Sequence, residues 1–238
     1  MEDIDAIAAL QDPVRRRLYE YVVARGREVG RNEAAEATGV ARTLAAHHLD
    51  RLTEAGLLES GSRRLTGRSG PGAGRPAKVY TRARAERAVS LPARDYRTAA
   101  ELLAEAAEQA GLDAELTTAA RRRGEALRGP AAPCGSLEQA MEVLTARGYE
   151  PHLESGGGSP DTEGTGGAGE AARSGTPVVR MRNCPFHAVA ERFPPLVCGM
   201  NLALLEGLLG ADGAVRARMD ARPGECCAVV ESSKNKSR

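Results

Sequence analysis

The sequence predicts an α+β protein in three parts: an N-terminal winged helix-turn-helix domain (residues 1–90), a central helical segment (91–130) and a C-terminal α+β domain (131–232). Three observations predict it. The run from Ala41 to Leu58 carries apolar residues at helical spacing, directly behind a short helix that a glycine turns. A stretch rich in glycine and arginine follows at once. Beyond residue 133, helix and strand patterns alternate around an insert, 155–177, that is almost all Gly, Ser, Thr, Pro and acid.

The first helix spans Asp3 to Ala24, with Ile4, Ile7, Ala8, Leu10, Val14, Leu18 and Val22 as its apolar set. Pro13 divides it, and Asp12 is placed to cap the second piece. Asn32 can cap a short helix from Glu33 to Thr38, which ends at Gly39. The helix after it puts Leu44, His48, Leu52 and Ala55 on one face, widened by Ala45 and Leu49. Arg42, Thr43, Ala46, His47 and Asp50 point away, and Gly56 stops the helix as a C′ glycine. Two helices joined by a tight glycine turn form a helix-turn-helix, whose second helix enters the major groove of DNA. Arg42, Thr43, Ala46, His47 and Arg51 are the expected contacts from that helix.

Leu57–Ser60 and Ala77–Thr81 read as two short strands, and the segment between them is too polar to enter a core. Arg63, Arg64, Arg68, Arg75 and Lys78 sit in this hairpin, which has no acidic residue after Glu59. Charge of a single sign separates it from an ordinary solvated loop and makes it the wing, able to neutralise phosphates or enter a narrow minor groove.

From Tyr96 to Leu127 the composition shifts to alanine, glutamate and arginine, with Leu102, Leu103, Ala106, Ala107 and Ala110 as a helical stripe. After a break at Gly111-Leu112-Asp113 a second helix runs from Ala114. These helices read as a dimerisation arm, the alternative being a helical pair held within one subunit. Ser136 caps a helix from Leu137 to Arg147, and strands follow at Tyr149–Leu153 and Val178–Arg182 on either side of the insert. Helices at Phe186–Phe193 and Pro195–Leu209, then strands at Ala214–Met219 and Cys226–Val230, complete the domain before a tail at 233–238.

Composition narrows the function classes. A chain of 238 residues with 42% hydrophobic residues can form two modest cores. Its net charge of +1 means that any nucleic-acid surface is local. Aromatics at 3%, with no tryptophan, argue against a base-stacking single-strand binder and for duplex DNA. No apolar run is long enough to span a bilayer, and Met1 opens no signal-peptide pattern. Five cysteines, an odd number with two adjacent, make a poor disulfide framework and point to a reducing, cytoplasmic setting.

The cysteines carry what chemistry there is. Cys184 follows a strand and precedes a helix, and Cys198 lies in the first turn of the helix begun by Pro194-Pro195. Thiols near helix N-termini are favoured as thiolates. Cys226 opens the last strand, where Cys226 and Cys227 would point to opposite faces, so that only one is expected to join the other two. Three thiolates from element ends suit an iron–sulfur cluster or a zinc site, although ordinary buried cysteines would show the same spacing. His187 is the nearest candidate for a fourth ligand, and equally reads as a surface histidine. A thiol enzyme with Cys184 as nucleophile and His187 as base lacks an orienting carboxylate or oxyanion hole, so no enzymatic activity is expected.

Two resemblances sharpen this reading. L-Q-D-P-V-R-R-R-L-Y-E-Y-V (Leu10–Val22), T-L-A-A-H-H-L-D-R-L-T-E-A-G-L-L and G-R-P-A-K-V-Y (Gly74–Tyr80) together resemble the ArsR-like winged-helix repressors. That likeness implies sequence-specific binding to double-stranded DNA as a homodimer on an inverted repeat. C-P-F-H-A-V-A-E-R-F-P-P-L-V-C (Cys184–Cys198), followed by a late cysteine, resembles the sensor domain of SufR-type repressors. It implies an iron–sulfur cluster on Cys184, Cys198 and Cys226, and control of cluster-assembly or stress genes. A structural zinc or an organic effector in that domain is the alternative. Here the first two cysteines stand one residue further apart than in that family and the last is doubled, which leaves Cys226 or Cys227 open as the third ligand.

Overall fold

The computed structural model describes residues 2–63, 76–156 and 175–233. The chain divides into two compact units, Met1–Arg94 and Asp95–Arg238. Arg64, Arg68 and Arg75 of the wing, most of the insert (157–174) and the tail from residue 234 lie outside the described residues. No helix among the described residues is long and apolar enough to cross a membrane.

The first unit runs α1 (Glu2–Ala8), a 3-10 turn (Ala9–Gln11), α2 (Pro13–Arg25), β1 (Val29–Gly30), α3 (Arg31–Thr38), α4 (Arg42–Glu54), β2 (Leu58–Arg63) and β3 (Ala77–Arg82). Asp12 caps α2 as its sequence suggests, its carboxylate accepting from the Val14 and Arg15 amides at 2.8 and 2.9 Å. β2 and β3 form an antiparallel hairpin in which Leu58 faces Arg82 and Arg63 faces Ala77, and β1 pairs with the other edge of β3. The core gathers Leu18 and Val22 of α2, Ala34 and Ala35 of α3, Ala45, Leu49 and Leu52 of α4, and Val29, Leu58 and Tyr80 of the sheet. Three helices and a three-stranded sheet around one core are a winged helix-turn-helix.

Two local expectations are corrected here. α3 begins at Arg31 with Gly30 as its N-cap and no side-chain cap, so Asn32 lies inside the helix. Gly30 is paired with Val79 in the sheet, and the strand turns straight into the helix. Leu44, expected in the core, is 44% exposed. The buried arc of α4 is Ala45, His48, Leu49 and Leu52, spaced i, i+3, i+4, i+7, which rotates Leu44 to its rim.

The second unit runs α5 (Tyr96–Gln109), α6 (Asp113–Arg128), α7 (Leu137–Thr145), β4 (Pro151–Gly156), β5 (Gly175–Met181), α8 (His187–Ala190), α9 (Pro194–Leu209), β6 (Val215–Met219) and β7 (Ala228–Ser232). Its four strands form an antiparallel sheet in the order β4-β5-β7-β6. Leu137, Ala140 and Leu144 of α7 and Leu205 and Leu209 of α9 bury against Val179, Met181, Val215, Ala217, Ala228 and Val230 of the sheet. Ser136 caps α7, accepting from the Gln139 amide at 3.3 Å, and Gln139 returns a bond to the Gly135 amide at 2.8 Å. Arg180, 1% exposed, is tolerated because Glu154 and Asp220 each meet its guanidinium at 2.7 Å.

α9 is nearly all apolar and correspondingly buried, with α6 as its cover. The two helices cross at Gly124 and Gly207. A Cβ on Gly124 would come within 2.7 Å of the Leu208 nitrogen and nearer still to the Leu204 carbonyl oxygen. One on Gly207 would lie 2.9 Å from the Glu125 nitrogen and nearer to the Arg121 oxygen. α6 is thus held within the subunit, the alternative to an arm. α5 differs: it has no buried residue, and all of the expected stripe but Ala107 faces outward, with Leu102 61% and Leu103 73% exposed. Its inner side is Ala104 and Ala107, against Phe193, Leu196 and Val197.

Candidate nucleic-acid interface and thiol cluster

α3 ends at Gly39, whose left-handed conformation (φ 66°) lets the Val40 amide reach back to the Ala35 carbonyl at 2.9 Å and redirects the chain into α4. α4 then ends at Glu54, with Gly56 left-handed at φ 68°. Arg42, Thr43, His47 and Arg51 are exposed and Ala46 is half-buried. Thr43, His47 and Arg51 lie one helical turn apart along a single face. Exposed Leu44 stands beside Thr43 at the same end, an apolar contact of the kind that meets a thymine methyl, which the sequence reading had placed in the core.

Asp50 was expected to face solvent. Instead its carboxylate accepts from Lys78 Nζ at 2.7 Å, Tyr80 Oη at 2.7 Å and Arg31 Nη2 at 2.9 Å. Tyr80 Oη in turn accepts from Arg31 Nε at 2.8 Å. Burial works to raise the Asp50 pKa, but the bonds from Lys78, Tyr80 and Arg31 outweigh it and hold the carboxyl below its usual range. Burial, with the bond to Asp50, pushes the Tyr80 hydroxyl up to about 12. The network therefore ties α3, α4 and the base of the wing together, and Lys78 is one of its members. Arg51 pairs with Glu54 at 3.0 Å and Arg63 with Glu28 at 3.3 Å, both exposed. Such pairs contribute at most about 1 kcal/mol, so both cations remain available to a phosphate. His48 is buried in the same helix, and its pKa is lowered, chiefly by burial.

In the second unit Cys184, Cys198, Cys226 and Cys227 all lie in or against one core cluster. All five cysteines are free. Cys184 lies in the turn between β5 and α8, its carbonyl accepting from the His187 amide at 3.0 Å. Cys198 is the fifth residue of α9. Cys226 and Cys227 end the turn before β7, which begins at Ala228 rather than Cys226. The expected alternation of faces belongs to strands, and these two residues precede one, so both reach the same place. Their backbone is fixed at both residues: the Cys226 amide donates to Met181 O at 2.9 Å, and Cys227 O accepts from the Asp220 amide at 2.8 Å.

Cys226 and Cys227 are buried in the core cluster beneath α7 and α9, and Cys184 and Cys198 pack against it. Fully buried Asn201, three residues beyond Cys198 on α9, donates from Nδ2 to Cys226 Sγ at 3.3 Å, and its Oδ1 accepts from Tyr149 Oη. Bonds from Cys184 and Cys227, with help from Asn201, lower the Cys226 pKa to about 3. The neighbouring Cys226 sulfur and burial push the Cys184 and Cys227 thiols up. This differs from the expectation that the helix end would favour a Cys184 thiolate: α8 is only four residues long, and the neighbouring sulfur decides. Among the described residues no group of three or more His, Cys, Asp or Glu side chains is arranged to hold a metal ion. His187 is exposed and meets Glu191 at 3.1 Å, and Cys134 is buried in the core.

Compared with known families, residues 10–61 match a helix-turn-helix domain, the span from the 3-10 turn before α2 through α4 into β2. No curated protein and no solved structure matches the chain. With the exposed face of α4 and the hairpin behind it, that match makes the chain a DNA-binding transcriptional regulator built on a helix-turn-helix of the winged type.

Proposed function

We propose that this regulator is a homodimeric repressor that reads an inverted repeat in double-stranded DNA and whose second unit senses iron–sulfur status through Cys184, Cys198 and Cys226. Base choice is assigned to Thr43, His47 and Leu44 at the exposed start of α4, and phosphate contact to Arg42, Arg51 and the wing, including Arg63, Arg64, Arg68 and Arg75. A monomer with one recognition helix reads one half-site, and paired half-sites about 34 Å apart call for a twofold partner. The outward leucines of α5, Leu102 and Leu103, support α5 as the surface that supplies it.

The observation that carries the sensor reading is that Cys184, Cys198, Cys226 and Cys227, from three separate stretches of chain, lie in or against one core cluster, with Asn201 bonded to the Cys226 sulfur. Soft thiolates are the donor set an iron–sulfur centre takes, and a polynuclear cluster distributes its ligands over several irons rather than gathering them on one ion. When bound, such a cluster would supply a redox- and oxygen-sensitive group. The Asn201 N–H bonded to the Cys226 sulfur favours it as a thiolate. Cys184 and Cys198 hold the starts of α8 and α9, so engagement of their sulfurs fixes the separation of those helices.

The test is anaerobic purification, visible absorption with iron and sulfide analysis, and footprinting of the same sample before and after removal of iron. A chromophore whose loss changes operator affinity by the 5–150-fold usual for allosteric coupling supports the proposal. Protein that never takes up iron but binds zinc or an organic effector refutes the cluster and leaves the DNA-binding regulator intact.

A further inference from the structure

We propose that Asp50 is a specificity-determining residue of the DNA interface: its carboxylate holds the Arg31 and Lys78 cations off the phosphates and so restrains binding to DNA of any sequence. This rests on α4 as the recognition helix. Asp50 stands one turn beyond Ala46 and His47 and two beyond Thr43, in line with the residues assigned to the groove. It is the only acidic residue between Arg42 and Arg51. A carboxylate on such a face can accept from a cytosine amine or repel the backbone. The accepting capacity of Asp50 is instead spent within the protein. Its Oδ1 accepts from Lys78 Nζ and Tyr80 Oη, each at 2.7 Å, and from Arg31 Nη2 at 3.1 Å, while Oδ2 accepts from the same Nη2 at 2.9 Å. Arg31 is held a second time, by the bond from its Nε to Tyr80 Oη at 2.8 Å. Two cations against one carboxylate leave a single positive charge, so Asp50 cancels one cation at this edge of the interface. Lys78 and Arg31 are 36% and 34% exposed, whereas Arg51 and Arg63, each paired with one exposed carboxylate, are 58% and 66% exposed. A phosphate can therefore draw Arg51 or Arg63 away at little cost, but drawing Lys78 or Arg31 away strips Asp50 of a donor beside a polyanion. Phosphate contact carries no sequence information, so withholding these two cations lowers affinity for random DNA and leaves the contacts of Thr43 and His47 to discriminate.

The experiment titrates the full chain, Asp50→Asn, Lys78→Gln and the double variant with a duplex of random sequence over a range of salt, after circular dichroism has shown each to be folded. Asp50→Asn is expected to bind this duplex more tightly than the wild type, with a log–log salt slope steeper by about one unit. One more phosphate contact adds a factor of about 3.5 to the affinity lost between about 50 and 200 mM salt. Lys78→Gln is expected to flatten the slope by less than about half a unit while Asp50 is present, and by about one unit in the Asp50→Asn background. A carboxylate that merely props up the fold gives the opposite sign: Asp50→Asn would bind random DNA more weakly, with an unchanged slope. That result overturns the proposal, as do equal effects of Lys78→Gln in the two backgrounds. If Asp50→Asn does not fold, Lys78→Gln in the wild-type chain decides alone, because a full unit lost there places Lys78 on a phosphate and overturns the proposal. A wild type with no affinity for any duplex defeats the recognition-helix reading itself, an outcome distinct from these.

Discussion

The crossing of α6 on α9 admits no side chain, so Gly124→Ala is a sharp perturbation of the second unit. The new methyl would stand 2.7 Å from the Leu208 nitrogen and nearer to the Leu204 carbonyl oxygen. Ordinary contact lies at about 3.5–4.0 Å, so the helices must separate by about 1 Å. Both obstructing atoms belong to helix backbone and cannot swing aside. Overpacking of this kind costs about 3 kcal/mol at the upper end of its range. Against that, alanine in a helix interior gains about 1 kcal/mol over glycine. The net effect is a loss of about 2 kcal/mol. For a unit of this size, that lowers the melting temperature by roughly 4–8 °C. Gly199→Ala is the internal comparison: it lies on α9, the other helix of the pair, with nothing within 4 Å of its Cβ position, and should gain stability from propensity alone. Calorimetry that follows the transition of the second unit separates the two. Gly124→Ala at least as stable as Gly199→Ala would refute the close crossing.

Three further outcomes follow from the first unit and its neighbour. Asp50→Asn keeps one accepting oxygen but removes the negative charge that Arg31 and Lys78 share and the second oxygen bonded by Arg31, and should lower stability by about 1–2 kcal/mol in denaturant melts, a value reduced for partial exposure. His48 and His152 both have lowered pKa values, chiefly from burial, with Asp12 opposing for His48 and Glu225 and Glu154 for His152. The unfolded chain therefore binds more protons as pH falls through about 6.5, and stability should drop between pH 7 and 5, before the carboxylates titrate. A flat profile there would place both imidazoles in solvent. Arg42→Ala should reduce the log–log salt slope of DNA binding by about one unit, whereas Thr43→Ala with His47→Ala should lower the ratio of operator to random-sequence affinity by about 1–3 kcal/mol per lost base contact. Equal losses on both DNAs would assign the pair to the backbone.

What local pattern could and could not reveal differs residue by residue. The limits of α4 were legible because a helical period ends at Gly56, a residue that takes φ 68° without strain. Which edge of its apolar arc faces inward was not, because Leu44, Ala45, His48, Leu49 and Leu52 cover a wide sector. The small Ala45 takes the inner place where helices converge, and the larger Leu44 is turned out. Asp50 read as a solvent-facing polar residue because its three partners come from α3 and β3, elements that its own neighbourhood in sequence does not announce. The helix-turn-helix reached the page from spacing and glycine turns alone, and the match over residues 10–61 agrees with it. In the second unit the last strand begins two residues later than its pattern suggests, so the alternation of faces expected of Cys226 and Cys227 does not apply to them. Gly124 and Gly207 each look like a helix weakness, and only the other helix explains them.

These placements also say where a change at the thiols would be felt. α9 carries Cys198 and Asn201 in its first turns and Gly207 near its end, so one rigid element joins the sulfur network to the α6 crossing. The glycine contact fixes α6 to α9 backbone to backbone, which leaves α6 little freedom to respond. α5 has no buried residue and rests on the cluster formed by Phe193, Leu196 and Val197 with Phe186 and Val189, the residues that flank the starts of α8 and α9. A change in separation of Cys184 and Cys198 acts on those same starts, and α5 is the element whose hold on them is weakest. Hydrogen exchange, which reports local opening, makes this measurable. Alkylation or metal loading of the thiols should change protection of the α5 amides, Ala104 and Ala107 among them, by more than that of the α6 amides around Gly124. Equal changes in both helices would mean that the unit responds as one body, and a change confined to α6 would reverse the assignment.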